Sequence, residues 1–345
     1  MSVSLQQLFG VELPLIQAPM AGWQGSELAI AVANAGGLGS LPCALLSVDV
    51  IRDELTAIRH ATSKPYNVNF FCHTPPAVNA EREAGWRKLL QPYFEELAVD
   101  PDDVPAASLR TPFSAAAADI LEPFKPAAVS FHFGLPAADL VRRVKGWGAK
   151  VLSSATTVEE ARWLEQHGAD AIIAQGLEAG GHRGNFLSDD LTMQAGTFTL
   201  LPQIACAVRV PVIAAGGIAD ARGVAAAMAL GAAGVQPGTA YLLCPEAKIS
   251  AVHRAALQSD QTSHTALTNL FSGRPARGIV NRLMAERGPM NAAAPAFPLA
   301  ATALAALRKK AESLGLGDFS PLWSGQNASG CRDVPAAALT RALMS

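Results

Sequence analysis

"VPVIAAGGIADARGVAAAMALGAAGVQPGTAYL", residues Val210 to Leu242, opens on a short apolar run that ends in Gly216 and Gly217. It continues into an alanine-rich segment of helical spacing from Asp220, then a second run closed by Gln236, Pro237, Gly238 and Thr239. Strand, helix and strand in that order make a βα unit of a parallel sheet. Glycine at both strand ends lets backbone N–H groups approach an anion, and the helix N-terminus beside them adds partial positive charge. One such glycine pair reads equally well as a tight turn. Two glycine-bearing ends on successive strands read better as a phosphate cradle. In a barrel that cradle sits between the seventh and eighth strands, whereas an open doubly wound sheet carries its nucleotide glycines after the first. Here the glycines collect late in the chain.

Outward from this unit the same alternation repeats. Strands are expected at "PLIQAP" (14–19), "GLGSL" (37–41), "YNVNFF" (66–71), "AAVSFHF" (127–133), "KVLSSA" (150–155), "AIIAQG" (171–176), "VPVIAAGG" (210–217) and "GVQPGTAYL" (234–242). Helices are expected from Ser26, Val48, Ala137, Thr157 and Asp220. Eight such strands with crossover helices match a (β/α)8 TIM barrel over residues 1–243. Two stretches break the rhythm. Residues 73–122, rich in Pro and Ala, read as an extended connection after the third strand, and residues 244–320 as a helical capping segment over the C-terminal face. Within the latter, "NAAAPAFPLAATALAALRKKAE" from Asn291 has proline-broken ends and a helical middle, which suits a capping helix.

Composition narrows the function classes. The 345 residues are half apolar and 16% charged, enough for a large buried core. A net charge of −2 without a basic cluster argues against a nucleic-acid partner. The five scattered cysteines form no CxxC pair, so neither a metal site nor a disulfide framework is expected, and reduced thiols suit a cytoplasmic protein. "MSVSLQQLFGVELPLIQAP" lacks the layout of a secretory signal, and no apolar run reaches membrane-spanning length.

Polar residues close several strands: Gln17, Asn69, His132, Gln175 and Gln236. Amide side chains both donate and accept, which suits the edge of a planar heteroaromatic ring such as a flavin, although any one of them alone reads as a satisfied structural group. After the sixth strand comes "EAGGHRGNF", Glu178 to Phe186. Gly180 and Gly181 would let the backbone pass close to the ring while His182 stands over it. A histidine there can take a proton from a carbon acid or hold an anion, and its plain alternative is a loop histidine bonded to a carbonyl. Glu178 and Arg183 read as a pair that pins the loop.

"QAPMAG", "NAGGLGS", "NVNFF", "VSFHFG", "QGLEAGGHRG", "AAGGIADARG", "GVQPGT", "FSGRPARGIVN" and "LWSGQ" occur in that order along nearly the whole chain. In them the sequence resembles the nitronate monooxygenases, formerly 2-nitropropane dioxygenases, and within these the first class. The resemblance implies an FMN enzyme that oxidises alkyl nitronates, propionate 3-nitronate foremost, with O2 to a carbonyl compound and nitrite or nitrate through a flavin semiquinone. It implies that Met20, Asn69, Gln175, Gly180, Gly181, Gly217, Gln236, Pro237, Gly238 and Thr239 hold FMN, with Trp323 and Gln326 closing on it from a C-terminal segment, 321–345. It makes His182 the catalytic histidine and gives His132 the placing of the nitro group. The partners implied are a small nitronate or nitroalkane and O2.

Two departures stand out. Where many relatives carry Thr-Pro or Ser-Pro after "QAPMAG", this chain reads "WQGSEL". Its only tyrosines are Tyr66, Tyr93 and Tyr241, and Phe297 stands where an aromatic hydroxyl is expected. Rival readings are an FMN-dependent NAD(P)H:quinone or enoyl-thioester reductase on the same barrel, and a flavin-binding protein without turnover.

Overall fold

The computed structural model describes residues 3–101 and 110–345. Seven strands, Gly39–Pro42, Tyr66–Phe71, Ala128–His132, Lys150–Ala155, Ala171–Gln175, Val212–Ala215 and Gly234–Val235, pair in parallel in chain order. The ring is closed by the first expected strand, reduced to two parallel bridges, Leu15 to Val235 and Ile16 to Leu38. Ile16 N donates to Val235 O and Gln17 N to Leu38 O, both at 2.9 Å. The result is a closed (β/α)8 barrel, as the sequence indicates. The last strand is shorter than expected, because Pro237 has no N–H to continue the ladder.

Side-chain alternation divides the barrel into an apolar shell and a lumen. In Tyr66–Phe71, Tyr66, Val68 and Phe70 pack outward in one cluster with Ile51, Leu55 and Ile58 of helix Val48–Ala61. Asn67 and Asn69 therefore face inward. The lumen has an apolar floor of Ile16, Leu38, Leu152, Ile173 and Ile213, closed by Leu5 and Phe9 of helix Leu5–Phe9. Above it lies a polar layer, where Asn67 Nδ2 donates to Ser40 Oγ at 3.0 Å and to Ser130 Oγ at 2.9 Å. The helices begin where side-chain caps allow, at Ser47, Thr157 and Asp220.

The connection at 73–122 is not merely extended. It holds the helices Ala80–Glu96 and Ala115–Leu121, capped by Asn79 and Ser114. Trp86, Leu90, Tyr93 and Phe94 form one cluster with Leu304 and Leu307 of helix Ala300–Ser313. The segment 244–320 carries, besides its helices, two short strands, Thr265–Thr268 and Ala276–Ile279. Ala276–Ile279 pairs antiparallel with Gly181–His182, so this segment grips the loop after the sixth barrel strand. The C-terminal segment returns to the barrel: Trp323 bridges Gly278, and Ala336, Leu339 and Leu343 pack in the cluster that holds Leu28 and Val32. Among the described residues no helix is long and apolar enough to cross a membrane.

Candidate functional site

A cavity of about 1320 Å³, open mouth included, lies at the C-terminal ends of the barrel strands. It is lined by Met20, Asn69, His132, Gln175, Gly180, Gly181, His182, Gly217, Gln236, Pro237, Gly238, Thr239 and Trp323. The fold thus brings together, from six strand ends and the C-terminal segment, residues up to about 300 positions apart in the chain. Gln326 is not among the lining residues. It is exposed, and its backbone N donates to Glu178 O at 2.9 Å, while Gly325 and Asn327 line the cavity on either side of it. Gln17 also lies outside the lining. Fully buried, it exchanges hydrogen bonds with Gln24 and accepts from Ser40 N at 3.1 Å, so its amide completes the lumen network.

Of the cradle expected at the seventh and eighth strands, Gly216 and Gly217 have φ of 116° and 72°, where a side chain would be strained; Gly181, in the loop after the sixth strand, has φ of 71° and a Cβ there would point into open space. Asn327 Nδ2 donates to Gly217 O at 3.0 Å and Gly325 N to Thr239 Oγ1 at 2.9 Å, so the C-terminal segment fixes both strand ends. Gln236 Oε1 is buried without a hydrogen-bond partner. An orphaned acceptor in a cavity wall is free to accept from a donor that enters the cavity.

Glu178 and Arg183 do pin the loop, but not by pairing. The Glu178 carboxylate accepts from Thr197 N at 2.8 Å, at the start of helix Thr197–Ala207. Arg183, fully buried, donates to Gly176 O at 2.7 Å, Gln175 O at 2.8 Å and Gln194 Oε1 at 2.7 Å. A third anchor was not anticipated: buried Glu160, from the preceding helix, accepts from Phe186 N at 2.6 Å. Only the folded register brings that carboxylate to the loop.

Between these anchors stands His182, registered opposite Ala276. Its Nε2 lies 2.8 Å from Ser272 Oγ, and its ring meets Phe297 at 5.3 Å and Trp323 at 5.6 Å, both edge-on. Its carbonyl accepts from Gln175 Nε2 at 3.0 Å and sits 3.1 Å from His132 Nε2. A carbonyl can only accept, so His132 carries its proton on Nε2, and Nδ1 accepts from Ser154 Oγ at 3.0 Å. Both nitrogens of His132 are thereby committed to protein groups.

Burial, and then the charge of Arg110, hold the pKa of His182 well below the usual histidine range, with His132, Arg274 and His73 adding to the effect. Burial lowers His132 and His73 to about 4. All three rings are neutral at pH 7. The ionisable lining residues are Arg110, His132 and His182; no carboxylate lines the cavity among the described residues. None of the three tyrosines reaches it either: Tyr66 packs outside the barrel, Tyr93 in the capping cluster, and Tyr241 bonds Thr340 Oγ1 at 2.8 Å. Arg110, Phe71, Ser154 and Asn327 line the site without having been singled out in the sequence, where nothing local distinguishes them.

Fold and site define a (β/α)8-barrel enzyme that handles a small molecule at the C-terminal mouth of its barrel. The model of the family described as nitronate monooxygenase matches residues 2–345. A nitronate monooxygenase of Pseudomonas aeruginosa is 43% identical over 98% of this chain and 97% of its own. One of Paraburkholderia phytofirmans is 43% identical over 99% and 93%. Among solved structures, the nitroalkane oxidase of Streptomyces ansochromogenes superimposes with a TM-score of 0.89 at 37% identity, covering 99% of this chain and 96% of that one. FabK of Thermotoga maritima gives 0.73 at 27%, covering 100% and 96%. The chain belongs to the nitronate monooxygenase family and is an oxidoreductase.

Proposed function

We propose that this chain is an FMN-dependent nitronate monooxygenase that oxidises alkyl nitronates with O2 to a carbonyl compound and nitrite or nitrate, with propionate 3-nitronate as the leading substrate. The observation that carries the reading is a half-buried, neutral histidine in a cavity with no carboxylate among its described lining residues, next to a glycine cradle at successive strand ends. A nitronate is a small delocalised anion. The described lining residues carry no negative charge to repel it, and a neutral imidazole meets it without losing a proton at neutral pH.

The residues fit FMN. Backbone N–H groups around Gly217, Gly238 and Thr239 suit its phosphate, and Met20, Asn69, Gln175, Gly180, Gly181, Pro237 and Trp323 suit its ring system. The orphaned Gln236 Oε1 can accept from a ring N–H. When bound, FMN supplies the route by which electrons pass from the organic anion to O2.

His182 then acts according to the substrate presented. With a neutral nitroalkane its unprotonated nitrogen takes the α-proton; with a preformed nitronate it has no proton to take and only orients the anion. Ser272 fixes which nitrogen is available: donation from its hydroxyl to Arg274 O, 3.3 Å away, makes Nε2 the protonated atom and leaves the lone pair on Nδ1. His132 serves in this reading as a positioning residue, holding the His182 carbonyl and Ser154 rather than a nitro group. The test is nitrite release and O2 uptake by the purified protein and by His182→Asn. Turnover of a neutral nitroalkane should fall by about 100-fold or more, with FMN retained. Unchanged turnover in the variant would remove His182 from the chemistry.

A further inference from the structure

We propose that Arg110 forms an anion subsite that receives a carboxylate carried by the substrate at the end remote from the reacting carbon. The site would then select nitronates that bear a second negative charge. This assignment rests on the nitronate reading, but its test does not.

The other enclosed arginines near the site each have at least one acceptor, although Arg274 Nε is left without one. Arg183 donates to three oxygens, Arg277 to Leu177 O and Thr265 Oγ1, and Arg274 to Asn185 O. Arg110 differs. It lines the cavity, and its Nη1 is buried without a hydrogen-bond partner. Its guanidinium carbon lies 5.2 Å from the centroid of Phe297, a contact that attracts the cation but gives Nη1 no acceptor. Leaving a buried cationic donor unpaired is costly.

A second unpaired polar atom lies close by. His73 is only 6% exposed and neutral, its N–H faces the Arg110 backbone carbonyl and its ring meets Phe297 edge-on at 4.9 Å, so it steadies the chain at Arg110, while the unpartnered Nδ1 is an acceptor and leaves the anion to the guanidinium. Phe297 is also the ring that His182 meets at 5.3 Å. One aromatic side chain thus packs against both the reacting histidine and the guanidinium whose Nη1 has no acceptor. A short bifunctional molecule with its reacting end at His182 can reach Arg110 with the other. A guanidinium fork matches a carboxylate in two parallel bonds, and no carboxylate of the cavity wall competes for it among the described residues.

The experiment is anaerobic calorimetric titration of the flavin-loaded full chain with 3-nitropropionate and with 1-nitropropane. These share the nitroalkyl end and differ in the carboxylate. The native protein should bind 3-nitropropionate more tightly by roughly 30-fold or more. Arg110→Met should abolish that preference with 1-nitropropane affinity and FMN content unchanged, and Arg110→Lys should keep part of it. The proposal is overturned if the native protein shows no preference, if Arg110→Met keeps it, or if that variant loses both probes equally or loses its flavin. A native protein that discriminates the probes yet turns over no nitronate would sink the nitronate reading and leave the subsite standing.

Discussion

His182 shows how an ordinary side chain acquires a special protonation state. Burial removes the water that would solvate an imidazolium, and the charge of Arg110 adds repulsion, so the neutral base persists to lower pH than for a histidine in water. The sign follows directly. A base with a lowered pKa stays active as pH falls through about 6.5, the ordinary histidine value, and loses activity only below it. The kcat/KM for a neutral nitroalkane should therefore stay level from pH 8 through pH 6. A fall centred on pH 6.5 would mean that His182 titrates as if exposed. The residue also marks what could be read from the chain. "EAGGHRG" announced a histidine in a glycine-lined loop, and the cavity holds it. Arg110 had no such signal, because its significance lies in partners it lacks, and an absent partner leaves no trace in sequence.

Among the elements, the loop after the sixth strand is held by Glu160, Glu178 and Arg183 from three directions. Local reasoning paired Glu178 with Arg183 because they are five residues apart and opposite in charge. The fold instead gives each the backbone groups that the turns leave unsatisfied. Arg183→Met would strand three acceptors and should cost about 3 kcal/mol of stability, measured by denaturant unfolding. A cost below about 1 kcal/mol would show that the loop does not depend on Arg183. The strands were legible because each is a short apolar run with a small-residue end, and all eight are found in the barrel. The helix Ala80–Glu96 was obscured by flanking prolines and by its low share of apolar residues; its apolar face, Trp86, Leu90, Tyr93 and Phe94, is buried against a helix some 200 residues later. The strand Ala276–Ile279 was hidden for a similar reason, being four residues long and stabilised by partners distant in sequence.

Across the whole molecule, buried and half-buried histidines make stability depend on pH. Burial lowers His73, His132 and His253 to about 4, and His182 is lowered well below 6.5. Below about 6.5 the unfolded chain binds protons at these sites while the folded chain does not, so stability falls as pH falls and the loss is complete near the folded values. Between pH 6.5 and 5, where unpaired carboxylates are still ionised in both states, unfolding should take up more than one proton, read from the dependence of the unfolding free energy on pH. A free energy flat across that window would show these rings to be solvated in the folded protein. The cost of keeping them neutral supports the site, since three of the four surround Phe297 or contact His182.

The measurement to make is O2 uptake and nitrite release by the flavin-loaded protein, with propionate 3-nitronate in one reaction and NADH or NADPH in another. Nitrite formed with O2 consumed in the first, and a flavin that stays oxidised under the nicotinamides, is the expected result. Rapid bleaching by a nicotinamide with no nitronate-dependent O2 uptake would contradict it and make the protein a reductase.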